Sequence, residues 1–119
     1  MFIKKLLECP QFIAGDNTVL REMLHPDKAA LDLRYSLAHA TLGPGLRSKP
    51  HKLKTSEVYY ILTGEGKMSI DDETALVGPG DTIYIPPTAL QYIENTGTTD
   101  LVFICIVDPA WREADEIVY

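Results

Sequence analysis

Apolar and polar residues along this chain follow the two-residue rhythm of strands more often than the longer rhythm of a helix face. Short runs rich in Val, Ile, Tyr, Thr and Phe predict strands over residues 33–42, 58–63, 67–70, 75–77, 82–85, 91–94 and 101–107. Strong turn residues separate them: Gly43-Pro44-Gly45, Gly64-Glu65-Gly66, Asp71-Asp72, Gly78-Pro79-Gly80 and Pro86-Pro87. Closely spaced strands punctuated in this way predict an antiparallel sandwich or barrel rather than βαβ units. Residues 18–25 fit two patterns. Leu20 and Leu24 lie four apart, as on a helix face, while Val19, Arg21 and Met23 alternate with them as in a strand; the strand reading is preferred.

Two of the predicted strands do not alternate. Val58 to Leu62 and Leu101 to Val107 are apolar at almost every position, so both of their faces need cover. A barrel covers only the inner face. The outer face then lies under a second sheet or under a partner in a homodimer.

Composition narrows the class. The chain has 119 residues and 45% hydrophobic content, enough for one domain spanning residues 1–119 with its own core and too apolar for disorder. Its longest apolar run, residues 101–107, falls far short of the roughly 20 residues a membrane helix needs. Asp and Glu number 17 against 11 Lys and Arg, a net charge of −6 that argues against nucleic-acid binding. Two cysteines make no disulfide framework, and Cys105 reads as a small buried hydrophobe. The opening MFIKKLLECPQF has too short an apolar stretch for a signal peptide. A soluble, reduced, cytoplasmic protein is expected. No glycine-rich phosphate loop, C-x-x-C pair or G-x-S-x-G elbow is present.

The chemistry concentrates between Gly45 and Asn95. Gly45, His51, Glu57 and Gly64 fall in register with G-x5-H-x-H-x3-E-x6-G, and Gly80, Pro86 and Asn95 with G-x5-P-x-G-x2-H-x3-N. The sequence therefore resembles the cupin superfamily over about residues 35–107. The resemblance implies an all-β, double-stranded β-helix (jelly-roll) barrel, commonly a homodimer. In that family three His and one Glu usually hold a divalent metal on neighbouring strands. Here Leu53 and Gln91 stand at two of the His positions, and Thr88 where the second motif has its glycine. Leu coordinates nothing, and a neutral Gln oxygen is a poorer ligand than imidazole for Zn, Cu or Fe(II). His51, Glu57 and Gln91 are thus the expected metal set, weak for Fe, Mn, Ni or Zn, with Leu53 as an apolar wall of the same cavity.

Four further groups have two readings each. Alternation along 35–42 puts Tyr35, Leu37, His39 and Thr41 on one face. If this bulkier set fills the interior, His39 joins His51 and Glu57 in a two-His, one-carboxylate triad; otherwise it is a hydrogen-bonded or outward His. Tyr59 shares a strand face with Glu57, and Tyr84 sits near the end of its strand; each is a hydrogen-bond donor to substrate or a packing residue. Arg47, Lys49, Lys52 and Lys54 either rim the pocket and attract an anionic ligand, or form a solvated loop. Trp111 is expected to pack the tail, Asn95 to cap the turn at Thr96-Gly97, and residues 112–116 to form a solvated acidic end. Two function classes follow: a metal-assisted dioxygenase, isomerase or decarboxylase acting on a small anionic substrate, or a non-catalytic module that binds a sugar or organic acid without metal. A purely structural dimerisation unit is a third reading, and His51 with Glu57 inside a barrel argues against it.

Overall fold

A computed structural model describes residues 1–119. The strand propensities are realised as eleven strands: β1 (Gln11–Ile13), β2 (Val19–Leu24), β3 (Ser36–Leu42), β4 (His51–Leu53), β5 (Ser56–Thr63), β6 (Gly66–Ile70), β7 (Glu73–Val77), β8 (Thr82–Ile85), β9 (Gln91–Asn95), β10 (Leu101–Asp108) and β11 (Glu116–Val118). Two three-residue 3-10 turns, Leu6–Glu8 and Glu113–Asp115, are the only helical segments. No helix is long and apolar enough to cross a membrane.

Two antiparallel sheets face each other, one of six strands in the order β1-β2-β3-β10-β5-β8 and one of five in the order β11-β4-β9-β6-β7. The doubly apolar strand β10 lies mid-sheet between β3 and β5. Its Leu101, Phe103, Cys105 and Val107 point inward and are buried, while Ile106 on the opposite face is exposed. Met68 and Ile93 of the smaller sheet close over Phe103 and Ile61 of the larger one. Full burial of each such side chain contributes about 1.5–3 kcal/mol. The second sheet therefore covers only the inner face. Tyr60, Leu62 and Ile106 leave the outer face of β5 and β10 apolar and exposed.

Turn chemistry holds the register. Gly64 adopts φ +88°, and a Cβ there would lie 2.5 Å from the Asp100 carbonyl oxygen, so no other residue fits the β5–β6 turn unstrained. Thr88 also has positive φ, +69°, a conformation that strains a β-branched side chain. Its amide donates to the Leu53 carbonyl at 2.7 Å, tying the β8–β9 turn to β4. Asn95 caps its turn as expected, accepting from the Gly97 amide at 2.9 Å.

Residues 18–25 form strand β2, fixed by pairing with β3 across Val19↔Thr41 and Arg21↔His39. Strands β1 and β11 were absent from the sequence-based expectation, while the strand that the motif spacing implies for His51 and Leu53 forms as β4; each is three residues long.

Candidate functional site

The site opens between the sheets as a cavity of about 240 Å³. β4 delivers His51 and Leu53 to it on one face, because residues two apart on a strand point the same way. By the same rule β5 delivers Glu57 and Tyr59. Phe103 packs against Tyr59 with ring centroids 4.6 Å apart, and Cys105 and Val107 continue that wall.

His51 is buried and oriented. Its Nδ1–H donates to the Lys49 carbonyl at 2.8 Å, so the neutral ring presents the Nε2 lone pair towards the cavity. Asp16 Oδ2 lies 3.8 Å from that nitrogen, too far for a hydrogen bond. Asp16 is fixed by its other oxygen, which accepts from the Thr18 amide at 3.1 Å and the Thr18 hydroxyl at 2.7 Å.

Glu57 is 7% exposed, and its Oε1 has no hydrogen-bond partner. Loss of hydration raises its pKa from 4.5 to about 8, partly opposed by the Gln91 amide and reinforced by the charges of Asp16 and Glu116. At neutral pH it is an acid rather than a carboxylate. Tyr59 donates its hydroxyl proton to Gln91 Oε1 at 3.1 Å, and burial keeps that phenol protonated well above its usual range. Burial likewise pushes the Cys105 thiol up, which makes it a wall rather than a nucleophile.

The remaining wall comes from the two ends of the chain. Phe12 to Asp16, running from β1 into the next turn, forms one side, and Trp111 with Glu116 forms the other. They meet at Gly15, where a Cβ would lie 3.2 Å from Glu116 Oε1. The tail is tied at several points. The Trp111 amide donates to Ser36 Oγ at 2.9 Å, and its indole N–H to Glu116 Oε2 at 3.3 Å. Buried His25 accepts from the Asp27 amide at Nδ1, so its Nε2–H donates to the Trp111 carbonyl at 2.8 Å. β11 then pairs with β4, placing Glu116 opposite Leu53. Partial burial raises the Glu116 pKa, with the indole N–H and His51 acting the other way.

The structure thus brings His51, Leu53, Glu57 and Tyr59 together around the cavity, with Gln91 paired to His51 on the neighbouring strand and buried behind Tyr59. Two expected residues lie elsewhere. The inner face of β3 carries Ser36, Ala38, Ala40 and Leu42. His39 therefore points to the outer face, opposite Ile104 and Arg21, where partial burial and the Arg21 charge lower its pKa. The smaller residues face inward because Tyr59 and Phe103 already fill that space. Tyr84 is also an outer residue, 60% exposed, because its neighbour Ile85 is the one that pairs inward with Glu57.

The basic residues do not line the cavity either. Arg47 sits 4.9 Å over the Tyr92 ring, Lys52 reaches the Tyr119 ring, and Lys49 and Lys54 are exposed. No Lys or Arg is among the lining residues. Residues 112–116, expected to be a solvated end, instead supply Glu116 to the wall. Asp16 and Glu116 were missed, and nothing in their local sequence distinguishes them from an ordinary turn and an acidic tail.

The metal set can be tested against these positions. Nowhere do three or more His, Cys, Asp or Glu side chains gather with a geometry that holds a metal ion. Leu53 and Gln91 remove two imidazoles, and the Gln91 oxygen already accepts from Tyr59. The family ligand set, reduced here to His51 and Glu57, does not fit a divalent metal.

Two facing antiparallel sheets, enclosing a pocket that takes one His from β4 of one sheet and one Glu from β5 of the other, define a double-stranded β-helix barrel. The chain belongs to the cupin family: the Cupin domain model matches residues 38–107. It is 41% identical to an uncharacterised protein of Methanocaldococcus jannaschii over 87% of this chain and 83% of that one. It is 34% identical to an oxalate-binding protein of Thermotoga maritima over 73% of this chain and 68% of that one. Of two longer curated relatives it spans only 23% and 18%. Among solved structures it resembles the nucleoside dehydratase Pac13 from Streptomyces with a TM-score of 0.81 at 18% identity, covering 100% of this chain and 91% of that one, a likeness of fold.

Proposed function

We propose that this cupin binds a compact organic molecule directly through His51, Glu57 and Asp16, without a resident metal, and that it acts in the cytoplasm as a homodimer joined through the apolar outer face of β5 and β10. One observation carries the binding reading. At the two family positions that keep a metal-ligand type, the side chains are a buried, oriented imidazole and a buried acid with an unpaired oxygen, and Leu53 replaces the group that would complete a ligand set. Such groups fix the orientation of an organic ligand, and the apolar walls supply its contact area. His51 and Glu57 could also exchange a proton with that ligand, one as base and the other as acid.

A metal-assisted dioxygenase, isomerase or decarboxylase acting on a small anion is the second reading. The unpaired Glu57 oxygen and the 34% identity to the oxalate-binding relative favour it. Elemental analysis of protein purified without an affinity tag, followed by calorimetric titration with Mn²⁺, Fe²⁺, Ni²⁺ and Zn²⁺, decides between them. The expected result is no stoichiometric metal and only weak uptake. A near-stoichiometric metal bound with submicromolar affinity would overturn the first reading.

A further inference from the structure

The reading above leaves the ligand's chemical class open, and the polarity of the pocket narrows it. In the neutral ring His51 Nε2 is an acceptor, and it faces Asp16 Oδ2, a second acceptor, across 3.8 Å. Glu57, whose Oε1 is buried and without a partner, also lines the cavity. Glu116 also lines the cavity, with one carboxylate oxygen taken by the Trp111 indole. Glu22, the remaining acid in the lining, is held by Lys28 Nζ at 2.6 Å. No Lys or Arg borders the space to receive an anion. Two acceptors 3.8 Å apart, His51 Nε2 and Asp16 Oδ2, call for a hydrogen-bond donor between them, and buried acceptors left unmatched are costly.

From this geometry we infer that the pocket takes a compact organic cation, an ammonium group on a small apolar body, rather than an organic anion. The ammonium would lie between His51 Nε2, Asp16 and Glu57, because it offers three donors and no acceptor. The body would lie on Tyr59 and Phe103, whose rings also attract a cation. At about 240 Å³ the cavity sits below the roughly 300 Å³ where drug-sized pockets begin, so the body is small. The inference rests on direct ligand binding. Its geometric core is the pair of acceptors His51 Nε2 and Asp16 Oδ2, with Glu57 beside them in the lining.

Three probes of one shape separate charge from fit: benzylamine (an ammonium at neutral pH), benzyl alcohol and benzoate, titrated into the full chain and followed by the Trp111 indole N–H in two-dimensional NMR. Benzylammonium should shift that signal saturably with a Kd near or below about 1 mM, at least tenfold tighter than benzyl alcohol, and benzoate should not bind. Asp16→Asn and Glu116→Gln should each weaken the ammonium more than the alcohol, so that the tenfold preference falls, while the spectra confirm folding. Benzoate or the alcohol binding as well as benzylamine would overturn the inference and leave direct binding intact. A cavity that none of the three perturbs would overturn the direct-binding reading along with it.

Discussion

Replacing Glu57 by Gln tests the energetics of the site in one measurement. Glu57 is held near pKa 8 in the folded chain, against an ordinary value of 4.5. Between those values the unfolded chain has released this proton and the folded one keeps it. The folded state therefore binds more protons, and stability falls as pH rises from about 4.5 to about 8, then levels off. Each pH unit of that interval is worth about 1.4 kcal/mol, so at pH 7 the cost is about 3 kcal/mol relative to pH 4. Glu57→Gln removes the titrating group and keeps the shape. At about 2.1 cal/mol/K of unfolding entropy per residue, the variant should gain about 12 °C in Tm over wild type at pH 7, measured against their difference at pH 4. Calorimetric melts at four pH values between 4 and 8.5 supply the comparison, and subtracting the profiles cancels every other titrating group. Parallel profiles would refute the reasoning. They would mean that Glu57 is ionised in the folded protein, which requires a positive partner beside it.

Restoring the family ligands with Leu53→His plus Gln91→His should raise Mn²⁺ or Zn²⁺ affinity by orders of magnitude in titration calorimetry; no gain would mean that His51 and Glu57 do not converge on one point. Gly64→Ala should cost about 3 kcal/mol in a denaturant melt, since a Cβ there meets backbone at 2.5 Å and φ is +88°. Thr88→Gly, by contrast, should add about 1 kcal/mol by relieving its φ of +69°. Light scattering should give twice the 13.3 kDa chain mass, and Tyr60→Lys with Ile106→Glu should halve it; a strict wild-type monomer at micromolar concentration removes the dimer.

Strand positions were readable because their limits are set by local chemistry. Gly64, Gly80 and the Pro86-Pro87 pair stand at strand ends, and β5 and β8 fall where those residues leave room. What one strand cannot reveal is which of its faces is the inner one. Along β3 the bulkier set containing His39 reads as the core, yet space inside is already taken by Tyr59 and Phe103 from β5 and β10, so Ser36, Ala38 and Ala40 fit and His39 does not. The same ambiguity misplaced Tyr84, one residue from Ile85. A slip of one residue reverses every side chain, and only the pairing across strands decides it. The short strands β1 and β11 escaped for another reason. Three residues carry too little alternation to be told from a loop, and each of these edge strands pairs with a single neighbour.

The floor and the walls of the pocket differ in how they are determined. His51, Leu53, Glu57 and Tyr59 sit on strands whose register is fixed by the glycine turns and the packed core, so their positions follow from the fold itself. Asp16 and Glu116 come from segments beyond the motif, one in a turn after a three-residue edge strand and one in a terminal strand paired only with β4. Edge segments with few partners change at little cost to global stability. The floor supplies acceptors and shape, and the acidic walls supply the charge that favours one class of ligand. A motif reading therefore reaches the floor and stops there, since the barrel is legible in its turn residues while the ligand is selected by side chains that meet only when both ends of the chain fold back over the mouth.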